Sequence, residues 1–106
     1  MTVVCAYDAL QAERGVAALL ADGRQVAVFR THDGSVYALD NRDPASGAGV
    51  LSRGIVGDRA GSPVVVSPIH KHAFDLRTGR CVDDERMSVS VFTVRVSGGV
   101  IVIGVP

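Results

Sequence analysis

Residues 89–105 read VSVFTVRVSGGVIVIGV, and this stretch decides the fold class. Its first half alternates apolar and polar residues, which is the pattern of a strand with one buried face. The residues SGG then supply a turn, and a second apolar run follows it. This arrangement predicts an antiparallel hairpin that pairs residues 87–96 with residues 100–105.

Similar short runs, rich in valine and other strand-forming residues, precede this hairpin. Asp22-Gly23 and Asp33-Gly34 separate three of them, and Asp-Gly pairs favour tight hairpin turns because glycine tolerates a positive φ. The predicted strands before residue 87 are TVVCAY (2–7), VAALL (16–20), QVAVFRT (25–31), SVYALD (35–40), VVVS (64–67) and AFDLR (73–77).

The remaining segments predict one helical turn and two long loops. DALQAERG predicts a single turn that Asp8 caps and Gly15 ends. Helical periodicity is weak elsewhere, so we expect an all-β antiparallel sandwich or partly open barrel. Two loops, roughly residues 41–54 and 67–73, are expected to project from its sheets, where functional sites tend to lie.

Length and composition limit the possible classes of protein. With 106 residues, 47% of them hydrophobic, the chain is expected to form a single domain over residues 1–106. The 11 basic and 11 acidic side chains balance, which argues against nucleic acid or an anionic membrane as a partner. The chain has neither a signal-peptide pattern nor an apolar run of roughly 18 residues, so we expect a cytoplasmic location.

Three segments of the loop-rich half resemble a known family. DNRDP (40–44), VLSRGIVGD (50–58) and SPIHKHAFDLRTG (67–79) resemble the Rieske-type iron-sulfur domain. In this combination they resemble the small subunits of bacterial NADH-dependent assimilatory nitrite reductases. A Rieske domain holds a [2Fe-2S] cluster with two thiolates and two imidazoles, which lie in CxH and CxxH motifs.

At those four positions this chain has mostly other residues. The resemblance aligns Asp43 and Ser67 with the two thiolates, Ala45 with one imidazole and His70 with the other. Carboxylate and hydroxyl oxygens are hard donors, whereas iron-sulfur clusters are held by soft thiolates. The resemblance therefore implies a Rieske-like domain with no cluster, no metal and no catalytic residue of its own.

The chain's cysteines do not replace the missing thiolates. Cys5 lies in the first predicted strand, and Cys81 follows the second loop by several residues. Two cysteines are too few for a disulfide framework, so both are expected to be small buried apolar residues.

Without a metal, other interactions must hold the two loops together. Asp43 is expected to accept backbone N-H bonds or to pair with Arg42 or Arg53. Ser67 is expected to bond to nearby backbone.

The resemblance also implies a partner. This would be a large subunit that carries siroheme, a [4Fe-4S] cluster and FAD, and that uses NADH to reduce nitrite to ammonium. Between residues 41 and 80, six basic side chains stand against three acidic ones, which is either ordinary solvated surface or a docking face. Because arginine is enriched at interface hot spots, the predicted contacts are Arg42, Arg53, Lys71 and Arg77.

The alternative function is that of a Rieske-type ferredoxin or another iron-binding electron carrier. His70 and His72 would share a face on a strand, and Asp43 would complete a 2-His-1-carboxylate set. No further cysteine or glutamate lies at ligand spacing, which argues against this site.

Overall fold

The computed structural model describes residues 2–104 and shows an all-β chain, as predicted. Its strands are β1 Thr2–Ala6, β2 Arg14–Leu19, β3 Gln25–Arg30, β4 Val36–Asp40, β5 Ile55–Arg59, β6 Ser62–Val66, β7 Ala73–Asp75, β8 Val91–Ser97 and β9 Val100–Gly104. Short 3₁₀ turns span Tyr7–Ala9 and Leu51–Arg53. Val105, the last residue of the predicted closing strand, lies outside the described residues. None of the helical segments between residues 2 and 104 has the length and apolar character needed to cross a membrane.

The strands form two antiparallel sheets that make a partly open barrel. The larger sheet has six strands in the order β1-β9-β8-β4-β3-β2, and the smaller sheet has the order β5-β6-β7. Each predicted hairpin is present: β2 pairs with β3, β3 with β4 and β8 with β9. Gly23 and Gly34 occupy the Asp-Gly turns with φ of 91° and 88°, a conformation that favours glycine.

Two apolar cores lie on opposite faces of β3. Val26 and Val28 pack into the core that the six-stranded sheet encloses, whereas Ala27 and Phe29 pack into the core between the two sheets. A strand buried on both faces appears in sequence as a continuous apolar run, as VAVF does here. Cys81 is buried between the sheets, as predicted, whereas Cys5 is only partly buried against the core that the six-stranded sheet encloses.

The structure corrects two local predictions. Gly15 does not end a helical turn but lies in β2 opposite Phe29, and a Cβ at Gly15 would lie 2.7 Å from the Phe29 ring. The 3₁₀ turn ends earlier, at Ala9, and Asp8 lies inside it rather than at its N-cap. Strand β5 was not predicted because its residues IVGDR are mostly exposed and lack an apolar alternation.

The strands run between two ends of the molecule, which we call the loop end and the turn end. The loop end carries residues 41–54 and 67–72, and the turn end carries the turns at 31–35, 60–61 and 97–99. Strand β6 spans the distance between the two ends, about 13 Å at strand geometry.

Candidate functional site

A buried contact between Asp43 and Ser67 lies at the centre of the loop end. These are the two residues that align with cluster thiolates, and the exposed fraction of each is 0%. The Ser67 hydroxyl donates a hydrogen bond to Asp43 Oδ2. The two residues are 24 positions apart in sequence, so this bond connects the two loops directly.

The first loop closes tightly around Asp43. The Ala45 N-H donates to Asp43 Oδ1 at 2.8 Å, which confirms that the carboxylate accepts a backbone N-H bond. The backbone N-H of Asp43 donates to the Ala48 carbonyl at 2.8 Å, and the Gly47 N-H donates to the Asp43 carbonyl at 2.7 Å. The ion pairs found within residues 2–104 do not include Asp43, so neither Arg42 nor Arg53 pairs with it.

The second loop is ordered around Ser67 in the same way. The Ser67 N-H donates to the His72 carbonyl at 2.8 Å, and the Lys71 N-H donates to the Ser67 carbonyl at 3.1 Å. The Ile69 N-H donates to Ser67 Oγ at 3.3 Å, so the predicted bonding of this hydroxyl to nearby backbone is confirmed. One serine side chain therefore serves both its own loop and the neighbouring one.

Asn41 supports the first loop, a role that was not predicted from the sequence. Its side chain is 1% exposed, and its Oδ1 accepts the Ser52 N-H at 2.8 Å. Its Nδ2 donates to Gln25 Oε1 at 3.0 Å, and its carbonyl accepts the Leu51 N-H at 3.0 Å. The sequence did contain a signal for this role, namely an asparagine directly after an apolar strand. An amide buried at such a position must form hydrogen bonds with its surroundings.

Asp83 supports the start of β7, and this role was not predicted from the sequence either. Its Oδ2 accepts the Ala73 N-H at 2.7 Å, and its Oδ1 lies 3.3 Å from Arg59 Nη1. The hydrogen bond from the Ala73 N-H lowers the pKa of Asp83 below its usual value, and the Arg59 guanidinium makes a smaller contribution in the same direction. Because Asp83 follows the second loop by ten residues, only the folded chain brings the two together.

Asp43 is held in its ionised form. Burial raises its pKa, but the hydrogen bonds from the Ser67 hydroxyl and from the Ala45 and Ser46 backbone, with the nearby His70, together outweigh burial. The net effect is that the pKa of Asp43 lies below the ordinary value of 3.8. A carboxylate with several donors is stabilised as the anion.

We expect Asp43 to make folding stability depend on pH in the acid range. Its folded-state pKa lies below its unfolded value, so its contribution is complete above pH 3.8 and is lost as the pH falls through the folded-state pKa. Asp43→Asn removes this titration while conserving the shape of the side chain. As the pH is lowered from about 5 to 2.5, the melting temperature of the variant should therefore fall by less than that of the unsubstituted chain. Circular-dichroism melts across this range measure both, and parallel curves would contradict the assignment.

The donor atoms at the four aligned positions do not fit a Rieske cluster. Asp43 and Ser67 offer only oxygen and already bond to each other, and Ala45 offers no donor. His70 alone retains the required ligand type, and it is exposed. A cluster of this kind needs two thiolates and two imidazoles, and these four positions supply one imidazole and no thiolate.

The alternative iron site is not assembled either. The ring centroids of His70 and His72 lie 6.1 Å apart, and β7 begins only after His72, so the two histidines do not share a strand face. Among residues 2–104, no group of three histidine, cysteine, aspartate or glutamate side chains is placed to hold a metal ion. The prediction that these two histidines and Asp43 converge on iron is therefore not supported.

The four basic residues predicted as docking contacts do not form one patch. Arg42, Arg53 and Lys71 are exposed on segments of the loop end. Arg77 is also exposed, but its Nη2 donates to Ser62 Oγ at 3.1 Å, which places it beside the turn end. Three of the predicted contacts thus share an end of the molecule with the Asp43–Ser67 contact, and the fourth does not.

Comparison with known proteins identifies the class to which this fold and these loops belong. The family profile of Rieske-like [2Fe-2S] domains matches residues 1–104, so the chain belongs to the Rieske-like family. Within it, the chain belongs with the small subunits of NADH-dependent nitrite reductases. It is 42% identical over 99 residues to the nitrite reductase (NADH) small subunit of Escherichia coli K12, covering 92% of this chain and 91% of that one.

Two further relatives extend this assignment. A crystal structure assigned as an NADH-dependent nitrite reductase small subunit from Mycobacterium tuberculosis has a TM-score of 0.94 and 57% identity, covering 96% of this chain and 91% of that one. The chain is also 44% identical over 101 residues to the nitrite reductase [NAD(P)H] large subunit of Klebsiella oxytoca. That match covers 95% of this chain but only 10% of the length of the large subunit.

Proposed function

We propose that this chain is a cluster-free accessory subunit of an NADH-dependent nitrite reductase. In this role it binds a large subunit and contributes no catalytic residue. The large subunit carries siroheme, a [4Fe-4S] cluster and FAD, and reduces nitrite to ammonium with electrons from NADH. The complex works in the cytoplasm, and residues 1–106 act in it as a single Rieske-like domain.

The observation that carries this proposal is the replacement of cluster ligands by the bonded pair Asp43 and Ser67. In a chain related to nitrite reductase small subunits, this pair maintains the shape of the loops without iron. An electron carrier needs a redox group, and the donor atoms at the loop end do not suit one. Binding and organising a partner is the role that remains for an ordered pair of loops.

The Klebsiella oxytoca relative supports the choice of partner. In that protein a segment similar to this chain is part of a large-subunit polypeptide. A segment that is covalently joined to a large subunit in one organism and separate in another is expected to associate with it in both.

Purification of the tagged chain from its own host, grown on nitrate, tests the proposal. We expect a large protein to co-purify and to bring the visible absorbance of siroheme and flavin. The chain expressed alone should be colourless and should contain less than about a tenth of an iron atom per chain by elemental analysis, because its aligned positions lack thiolates. A lone chain with stoichiometric iron and its own visible spectrum would refute the cluster-free role.

A further inference from the structure

Exposed apolar side chains lie beside the Asp43–Ser67 contact. Ile55 at the start of β5 is 71% exposed, and Ile69 in the second loop is 44% exposed. Ile55 pairs with Val66, the residue before Ser67, and the Ile69 N-H bonds to Ser67 Oγ. The two isoleucines thus flank the same short segment, Val66 and Ser67, and an exposed apolar patch rimmed by polar residues is the feature that marks an interaction site.

The same end carries basic side chains without acidic partners. Arg42, Arg53 and Lys71 are exposed, and none of them takes part in an ion pair with another described residue. Among the described residues, the Lys71 ammonium donates to the Pro68 carbonyl alone, at 3.4 Å. These charges are therefore available to a partner.

The acidic side chains of the loop end are already engaged. Asp22 pairs with Arg24 at 2.8 Å, and Asp40 Oδ1 accepts the Arg42 N-H at 2.9 Å. Asp43 is buried and ionised within the contact with Ser67. A backbone N-H does not cancel the charge of Asp40, so the outward-facing charges without an ion pair in the described part of this end are three basic ones, on Arg42, Arg53 and Lys71, against this one carboxylate, and the surface is positive on balance.

The turn end has a different charge arrangement. Arg77 lines a cleft there that is also lined by three acidic residues, Glu13, Asp33 and Asp58. The positive charge of Arg77 is thus balanced by its surroundings. Both ends of the molecule carry exposed basic residues, but among residues 2–104 it is the loop end that combines three of them without ion pairs with exposed isoleucines.

We infer that the surface formed by Arg42, Arg53, Ile69 and Lys71 of the loop end, with the adjoining Ile55 of β5, docks on the nitrite reductase large subunit. The complementary surface is acidic around an apolar contact. Isoleucine burial supplies affinity, and opposite charges at the rim guide association and fix orientation. This inference rests on the proposed function, because that function supplies the partner.

Binding of the purified large subunit to variants of the full chain tests the inference. The loop-end variants are Arg53→Glu, Lys71→Glu and Ile69→Ser. The matched controls at the turn end are Arg77→Glu, an exposed base with no ion pair within residues 2–104, and Val96→Ser, which replaces a side chain 44% exposed like Ile69. Dissociation constants are measured by calorimetry at low and high salt, after melting temperatures confirm that each variant is folded.

We expect each loop-end variant to raise Kd at least about tenfold, and each control to change it by less than about twofold. The affinity of the unsubstituted chain should fall as salt rises, because exposed charges are screened. Unchanged binding by the loop-end variants, or an equal loss in the controls, would overturn the docking surface while leaving the proposed function intact. An unsubstituted chain that does not bind the large subunit at either salt concentration would overturn both.

Hydrogen exchange on the unsubstituted chain gives a second test that needs no variant. Binding of the large subunit should slow amide exchange in residues 42–53 and 67–72. The turns at 31–35 and 97–99 should exchange as they do in the free chain. Protection confined to the turn end would overturn the inference.

Discussion

Asp43→Ala should lower the stability of this chain by about 3 kcal/mol, because it leaves the fully buried Ser67 hydroxyl without its charged acceptor and removes a backbone acceptor from the first loop. The Ser67 hydroxyl loses its partner in the other loop, and the Ala45 N-H loses the side-chain acceptor that Asp43 provides. For a chain of this size, the melting temperature should fall on the order of 10 °C. Chemical denaturation and thermal melts measure both quantities.

Asp22→Ala is the matched control for this change. Asp22 also accepts a bond from a backbone N-H and from an arginine, but its side chain is 53% exposed. Exposed ion pairs contribute little, so we expect a loss that is clearly smaller than that of Asp43→Ala. Equal losses for the two variants would show that Asp43 has no special structural role.

Gly54→Ala should destabilise the chain to a similar degree, about 3 kcal/mol, for a steric reason. Gly54 lies between the first loop and β5, where an added Cβ would be 2.5 Å from the Val66 carbonyl oxygen and 2.7 Å from Val65 Cγ2. The backbone at Gly54 must therefore move away from β6. This movement also pulls the first loop, which carries Asp43, away from Ser67 at the end of β6. Its φ of −72° is ordinary, so the effect is one of space alone.

Gly57→Ala provides a control within the neighbouring strand. A Cβ at Gly57 would meet no atom within 4 Å, and Gly57 does not adopt a positive φ. Alanine there should be neutral or stabilise by up to about 1 kcal/mol, because it restricts the unfolded chain. Urea denaturation of both variants measures the difference, and similar stabilities would show that the contact at Gly54 relaxes without cost.

The regular part of this fold could be predicted from sequence because its signals are local. Asp-Gly turns and alternating strands are determined by residues close together in sequence. The Asp-Gly pairs predicted hairpins at Gly23 and Gly34, and both hairpins are present. Strand β5 was missed because it is a mostly exposed edge strand whose partner β6 supplies the apolar residues. The error at Gly15 arose because the glycine serves a close approach to Phe29, a contact that no local pattern reveals.

The site divides in the same way. Sequence identified Asp43 and Ser67 as the positions that differ from cluster ligands, and it indicated their bonds to nearby backbone. It did not indicate that the two side chains bond to each other, because that contact joins segments from different sheets. The same limit applies to Asn41 and Asp83, whose partners are distant in sequence.

If the chain is cluster-free as proposed, the Asp43–Ser67 contact gives a physical account of how its two loops are held together. A cluster joins two loops by covalent bonds to iron, and its loss returns conformational freedom that folding must remove. A buried, ionised carboxylate that accepts a hydroxyl from the opposite loop restores one strong connection. The ordered loops then hold the basic residues and isoleucines of the loop end in fixed positions for a partner.

A double-mutant cycle between Asp43→Ala and Ser67→Ala tests this account most directly. The free energy of unfolding is measured by urea denaturation for the unsubstituted chain, both single variants and the double variant. If the two side chains connect the loops, the double variant should lose less stability than the sum of the single losses, with a coupling of about 1.5 kcal/mol or more. Single losses that add to within about 0.5 kcal/mol would contradict the claim that this pair takes the structural place of the cluster.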